Sequence, residues 1–262
     1  FEVHDTLINR YFLCVTRLKT APQNLGYYAG EKMNQQTVYF EQKDEKTLIM
    51  RSFVNRQEAD STHNIYTAVM NSSTNPIVAS FNVIGRNPKT KAQLIDVSYF
   101  FQQDNSIISL PNSFKTEKKL GGIAPDRSFV HDIRTYPINT EVHTVKTFSA
   151  SPSNIPSANY TGAVTLELNT SMVLLPKVPM QKRLFDNRVG FFATGFTKFS
   201  DKQQRTETEY YIHRFRLEPR KEDIKKYLAG QLVRPKKQIV FYIDPATPKQ
   251  WQKYLILGVN DW

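Results

Sequence analysis

Most of the chain consists of short segments in which apolar and polar residues alternate, which is the spacing of β-strands. Residues 10–18 are an example, with Cys14 and Thr16 on one face and Leu13 and Val15 on the other. Such a strand buries one side against a core and needs neighbouring strands for its backbone hydrogen bonds. Much of the first 110 residues therefore predicts strand after strand.

Two pairs of these segments predict β-hairpins. The first joins residues 37–41 to residues 47–53 through the polar sequence Lys-Asp-Glu-Lys, and the second joins residues 78–84 to residues 92–97 through a turn-rich stretch. Later strands are predicted at residues 141–148, 162–175, 190–199 and 209–217. We expect a mainly β fold of antiparallel sheets, arranged as a sandwich or a barrel, with a few short helices.

Three segments interrupt this pattern. Residues 102–126 are polar and contain a Gly-Gly pair and a proline, so we expect a long loop or a possible linker. Residues 127–136 fit either a short helix capped by Asp126 or a strand, and we favour the helix. Residues 220–229, between a proline and a glycine, predict a short helix. Its apolar side chains are expected to point inward: Ile224, Tyr227 and Leu228.

The last residues carry a different pattern. Residues 238–243 are a short apolar run that predicts a buried strand, and Thr247, Pro248 and Gln250 then form a helix-capping arrangement. One stripe of the helix that follows would carry these apolar residues: Trp251, Tyr254, Leu255, Val259 and Trp262. Because this stripe needs a surface to pack against, we expect residues 236–262 to begin a further domain.

The charge is positive and unevenly distributed. The formal net charge is +11, and the stretch from Lys177 to Lys237 holds sixteen Lys or Arg against seven Asp or Glu. A basic surface of this kind can meet nucleic acid, an anionic membrane or an acidic neighbouring domain, or it can be a solvated face. Charge alone does not choose among these.

Other features limit the class of protein. No apolar run approaches the roughly 18 residues of a membrane-spanning helix, so no membrane span is expected. The amino end has neither the basic start nor the apolar stretch of a signal peptide. The single cysteine, Cys14, excludes an internal disulfide, and its apolar neighbours Leu13 and Val15 indicate a buried residue and not a nucleophile.

The sequence predicts no catalytic residue, no metal ligand and no bound cofactor within this chain. The histidines never fall three to five residues apart, so there is no His-x-x-x-His pair for zinc: His4, His63, His131, His143 and His213. Glu209 lies four residues before His213, but the segment between them alternates as a strand does. Common nucleophile elbows and phosphate-binding loops are also missing from the sequence.

One charged segment stands out between apolar strands. Arg183, Asp186 and Arg188 fall within six residues, so their side chains should converge on one loop. A structural ion-pair network or an interdomain contact explains such a cluster better than a ligand site does.

The chain resembles the region just ahead of the catalytic domain in large bacterial zinc-dependent metalloproteases of the metzincin type. The resemblance covers nearly the whole chain, and its strings occur in the expected order. They are RYFLCVTRL at 10–18, YAGEKMNQQ at 28–36, SMVLLP at 171–176, PMQKRLFDNRVGFF at 179–192, RFRLEP at 214–219 and IDPATP at 243–248.

The resemblance implies that residues 1–235 are a β-rich accessory or prodomain-like region and that residues 236–262 are the start of the catalytic domain. It places the zinc motif, His-Glu-x-x-His-x-x-Gly-x-x-His, downstream of Trp262. It also implies an exported protein, in the periplasm, at the outer envelope or secreted, that cleaves peptides or proteins in its full-length form. The partner of this region would be its own catalytic domain.

The same resemblance gives candidate contact residues for that domain: Arg183, Asp186, Arg188, Trp251 and Trp262. Asp186 is also a candidate inhibitory carboxylate on the zinc, whereas Cys14 lacks the basic-Cys-Gly context of a thiolate inhibitor. Lys182 stands where the family pattern has a proline.

An alternative interpretation is a stand-alone β-sandwich binding module that uses a basic face for polyanions or glycans. The aromatic residues Tyr210, Tyr211 and Phe215 are interleaved with Arg214 and Arg216, which suits stacking and phosphate or sulfate contacts. A strand face explains these residues more simply, so nucleic acid is not an expected partner.

Overall fold

The computed structural model describes residues 1–261, so the predicted contact residue Trp262 lies outside the described residues. The fold is mainly β, with 39% of residues in strands and 19% in helices, which confirms the predicted fold class. Among the described residues, no helix is both long enough and apolar enough to cross a bilayer.

The strands are β1 Glu2–Val3, β2 Tyr11–Thr20, β3 Lys32–Asp44, β4 Thr47–Ser52, β5 Gln57–Ala59, β6 Ile77–Arg86, β7 Gln93–Ile95, β8 Leu120–Ile123, β9 Phe129–Thr135, β10 Asn139–Ala150, β11 Ala163–Leu174, β12 Ala193–Phe199 and β13 Glu207–Ile212. The helices are α1 Ile65–Asn71, α2 Ser98–Gln102, α3 Asn112–Glu117, α4 Pro156–Thr161, α5 Ile224–Leu228 and α6 Lys249–Asn260. Short 3-10 turns lie at Asp5–Leu7, Pro125–Arg127 and Lys221–Asp223.

Ten strands form one antiparallel sheet. Its order is β1-β7-β6-β4-β3-β2-β11-β10, and β8 and β9 both lie beside β10. Both predicted hairpins are confirmed, because β3 pairs with β4 and β6 pairs with β7. Cys14 is buried as predicted, and burial raises the pKa of its thiol to about 12.

The chain divides into two compact units. The first contains residues 1–179 and 197–207, and it holds the large sheet. The second contains residues 180–196 and the residues from 208 onward. The domain start predicted at residue 236 stays a prediction.

The inner face of the sheet is covered by residues 98–117, which contradicts the expectation of a loop or linker at 102–126. This covering segment contains α2 and α3, and its apolar residues are buried against the sheet: Phe100, Phe101, Ile107, Ile108, Leu110 and Phe114. β8 follows it directly. The apolar residues of this segment follow neither the spacing of a strand nor that of a helix. Its sequence therefore resembles that of a linker.

Polar side chains of the sheet hold the irregular part of the covering segment. Asn34 donates to the carbonyl oxygens of Ser106 and Ser109 at 2.8 and 2.9 Å, and the Thr16 hydroxyl donates to the Ile108 carbonyl at 3.2 Å. These bonds satisfy backbone groups that no regular element pairs, which allows a non-repetitive segment to be buried.

The prediction of a helix for residues 127–136 is wrong, and the alternative prediction of a strand is confirmed. Residues 129–135 form β9, which pairs antiparallel with β10. Asp126 lies in the short turn before it and caps no helix. Pairing along β10 satisfies the backbone of this segment, and that long-range contact outweighs its weak local preference.

Two predictions in the second unit are also wrong. Residues 238–243 form no strand, and Phe241 and Tyr242 are 66% and 92% exposed. The apolar residues of α5 do not point inward, because Ile224, Tyr227 and Leu228 are all exposed. Within the described part of the chain, residues 238–243 have no partner strand.

The predicted C-terminal helix is confirmed as α6. It begins at Lys249, one residue later than the capping pattern suggested, with Pro248 in the cap position. Trp251 and Tyr254, on its apolar stripe, lie with their ring centroids 6.2 Å apart.

Lys146 of β10 is a buried charge beneath the covering segment. Its ammonium donates to the Gln103 carbonyl at 2.6 Å, beside the ion pair of Lys115 with Asp104 at 2.5 Å. Burial lowers the pKa of Lys146 to about 8, the charge of Asp104 opposes this effect, and the charge of Lys115 adds to it.

We predict that Lys146→Met stabilises the protein at pH 7 by about 1–2 kcal/mol, because the roughly 3 kcal/mol cost of the buried charge exceeds the value of the lost hydrogen bond. The folded-state pKa lies below the unfolded value, so the wild-type protein gains stability as the pH rises from 7 toward 10. The advantage of the variant should therefore shrink between pH 7 and 9. Urea unfolding at pH 7 and pH 9 measures the difference in the free energy of unfolding between Lys146→Met and the wild type, with the exposed Lys89→Met as control. A difference that is independent of pH would contradict this account.

Candidate functional site

The outer face of the large sheet carries a row of polar side chains across four strands. Arg17 on β2 lies opposite Asn169 on β11, Asn169 lies opposite His143 on β10, and His143 lies opposite Asp132 on β9. Residues that lie directly opposite each other on paired strands share one face of the sheet. The row borders an open cavity of about 450 Å³ that these residues help to line.

A β-bulge adds a second histidine to this face. His143 pairs with Asp132, but Thr144 pairs with Val130, so His131 is the extra residue of β9. A bulge of this kind re-aims side chains that would otherwise alternate. The ring centroids of His131 and His143 lie 4.4 Å apart. One potential ligand atom from each of His131, Asp132 and His143 lies within 4.8 Å of the others.

His143 is held from both sides. Its Nε2 lies 2.7 Å from Oε2 of Glu167, its Nδ1 lies 2.9 Å from the Lys19 ammonium, and its side chain is only 4% exposed. An ammonium can only donate, so Nδ1 is the acceptor and Nε2 carries the proton that Glu167 accepts. The contacts therefore describe one tautomer of a neutral imidazole.

Glu141 lies in the next row along the sheet. Its carboxylate accepts hydrogen bonds from Ser171, Asn169 and Asn139, each at 2.6 Å. Burial alone would raise the pKa of Glu141, but these bonds, together with the charge of Arg17, outweigh burial and lower it. Glu141 therefore remains ionised in the folded protein at neutral pH.

The cluster as a whole balances its charges. Three cations, Arg17, Lys19 and Arg134, stand among three carboxylates: Asp132, Glu141 and Glu167. Arg134 reaches Oδ2 of Asp132 at 3.2 Å. The cluster is therefore a polar site in which an imidazole nitrogen and carboxylate oxygens face one another.

The sequence does not reveal this cluster, because its histidines are not at the helical spacing that is typical of a metal site. His131 and His143 are twelve positions apart and meet only through strand pairing. The strand alternative for residues 127–136 would have placed Asp132 and Arg134 on one face, but neither the partner strand nor the bulge can be read from the sequence.

The charged segment of the second unit forms a local ion pair. Arg188 donates to the Asp186 carboxylate with Nη2 at 2.6 Å and with Nε at 3.0 Å. Side-chain and backbone hydrogen bonds from Arg188 lower the pKa of Asp186. Asp186 and Arg188 thus meet as predicted, and their role as an interdomain contact stays a prediction.

Arg183 lies on a different feature, a groove of about 720 Å³ in the second unit. Its lining combines arginines with apolar and aromatic residues: Arg183, Phe191, Ile212, His213, Arg214, Phe215 and Leu217. The neighbouring Lys182, which replaces the expected proline, places its ammonium 4.6 Å from the ring centroid of Tyr211 and 5.1 Å from that of Phe196. This cation-π contact ties the start of the segment to β12 and β13.

The family model described as "Domain of unknown function (DUF5117)" matches residues 30–220. No curated protein and no solved structure matches the chain.

We predict that Glu141→Gln lowers stability at pH 7 by on the order of 1–2 kcal/mol, because a neutral amide is a weaker acceptor for three donors than a carboxylate. The lowered pKa of Glu141 means that its stabilisation is present above about pH 4.3 and is lost as the pH falls through the folded value. The difference in the free energy of unfolding between the variant and the wild type should therefore become smaller toward pH 3. Unfolding in urea at pH 7 and pH 3.5 measures it, with Glu45→Gln in the exposed β3–β4 turn as control. A gap of equal size at both pH values would argue against this role.

Proposed function

The chain belongs to the DUF5117 family of domains of unknown function, and we propose that it is a noncatalytic N-terminal region of a zinc-dependent metalloprotease. In the full-length protein this region would pack on, or regulate, a catalytic domain that follows it. The catalytic zinc would be held by that domain and not by the proposed accessory region. The six resembling strings and their order support the proposal, and the proposed export of the protein rests on the same resemblance alone.

The observation that carries this proposal is the exposed apolar surface of the second unit. On α6, Trp251 is 55% exposed, and most of the neighbouring apolar side chains are exposed as well: Tyr254, Leu255, Ile256, Leu257 and Val259. Phe241 and Tyr242 add further exposed apolar area. Clustered apolar surface of this kind typically marks an interaction site. A neighbouring domain would bury it.

The charge of the second unit indicates the chemistry of that neighbour. It carries fourteen Lys or Arg against seven Asp or Glu, which is most of the excess of the chain. A partner surface that combines apolar and acidic residues would be complementary to it. A catalytic domain with such a face is the partner that we propose.

We predict that Trp251→Glu combined with Tyr254→Glu in the full-length protein increases the rate of limited proteolysis near residue 236 by about tenfold or more. Burial of one large apolar side chain contributes about 1.5–3 kcal/mol, so placing two charges at a packed face should open it. Tyr160→Glu, on the 88%-exposed residue of α4, is the matched control. If the double variant is cleaved at the same rate as this control, α6 does not pack on a downstream domain.

The protease assignment itself has a direct test. The full-length protein should contain a tightly bound catalytic zinc and hydrolyse a casein substrate, and a chelator should abolish that hydrolysis. Full-length protein without zinc and without hydrolysis would overturn the assignment.

The groove of the second unit favours one second candidate, a binding module for polyanions or glycans. Arg183 and Arg214 stand beside Phe191 and Phe215, so charged and stacking groups share one surface. This function would not require a catalytic domain.

On this second candidate, we predict that the chain binds heparin and that Arg183→Gln combined with Arg214→Gln weakens binding about tenfold. The slope of log K against log salt should fall by roughly two, because two sulfate contacts are lost. The control is Arg56→Gln combined with Arg127→Gln, on exposed arginines of the first unit. No retention on heparin at low salt would reject the candidate.

A further inference from the structure

We propose that His131, Asp132 and His143 form a binding site for a divalent first-row transition metal such as zinc, on the outer face of the first unit. The site is separate from the catalytic zinc of the proposed protease and does not depend on that proposal. Its three ligands come from one pair of antiparallel strands.

The sheet register and the bulge set the spacing of the ligand atoms. Nδ1 of His143 lies 3.9 Å from Oδ1 of Asp132, and Nδ1 of His131 lies 4.0 Å from Oδ2 of Asp132. A tetrahedral zinc with ligands at about 2.1 Å needs these atoms about 3.4 Å apart. With one ligand atom from each residue, the three atoms lie within 4.8 Å of one another, so the side chains must move together by up to about 1.4 Å to bind zinc. The His131 side chain is 55% exposed and able to make such a movement.

Two neighbouring groups orient the ligands as outer partners do in metal sites. Glu167 accepts the Nε2 proton of His143, which leaves Nδ1 unprotonated and able to act as the ligand atom. A carboxylate behind a ligating histidine is a frequent arrangement because it fixes the tautomer and raises the basicity of the ligand. Arg134 holds Oδ2 of Asp132 and leaves Oδ1 facing His143.

The donor set selects the class of ion. Two imidazole nitrogens and one carboxylate oxygen suit zinc, cobalt, nickel or copper, whereas magnesium and calcium prefer oxygen ligands only. The open cavity beside His143 leaves room for water as a fourth ligand.

Lys19 is the competing cation. Its ammonium lies 2.9 Å from Nδ1 of His143, at the nitrogen that a metal would use. Lys19 is exposed and has a long, flexible side chain. Its ammonium is therefore able to move into solvent when a metal takes its place beside Nδ1 of His143. Metal binding and the Lys19 contact are therefore mutually exclusive.

The test uses the chain without any histidine tag. Cobalt(II) is added to the metal-free protein, and the visible absorption of a tetrahedral complex is followed. Zinc affinity is then measured by competition with a chromophoric chelator. We expect one ion per chain, and His131→Ala should weaken zinc binding roughly tenfold or more. Because His131 is exposed, that variant should keep its fold, which circular dichroism checks. His143→Ala tests the buried ligand in the same way, and His213→Ala in the second unit is the matched control.

Lys19→Met supplies a readout that only this geometry predicts. Removing the competing ammonium should tighten zinc binding about tenfold or more, while a site elsewhere on the protein would be unaffected. The proposal is overturned if His131→Ala binds zinc as the His213→Ala control does, or if Lys19→Met leaves the affinity unchanged.

Discussion

The burial of one face of a ten-stranded sheet under residues 98–117 is the constraint on which the first unit depends. Strands that alternate apolar and polar residues need a cover on one side only. Here the cover is an irregular segment with two short helices, held by hydrogen bonds from Asn34 and Thr16. The same cover encloses Lys146, so the fold tolerates a buried charge whose ammonium still finds a carbonyl partner.

The opposite face of the sheet carries polar residues. There the strand register brings charged, amide and imidazole side chains together. Arg17, Asn169, His143 and Asp132 meet because four strands pair in one register, and a single bulge turns His131 toward them. A shift of one residue in β9 would send Asp132 to the inner face. The polar cluster is thus a property of the pairing and not of any one segment.

The second unit has a different balance of surface and core. It has few strands, exposes the apolar residues of α5 and α6, and carries an excess of positive charge. Its local features, such as the Asp186–Arg188 pair and the Lys182 contact with aromatic rings, are short in range. A unit that exposes so much apolar surface is suited to binding another surface, which is the basis of the function proposed for it.

The amino-acid sequence alone predicts the mainly β class, both hairpins, the burial of Cys14, helix α6 and the meeting of Asp186 with Arg188. These features depend on the alternation of neighbouring residues or on contacts a few positions apart. Contacts across the whole fold place residues 102–117 in the covering segment, make residues 129–135 a strand and bring His131 to His143. These outcomes depend on contacts between distant segments, whose free energy exceeds the weak local preferences that a sequence displays.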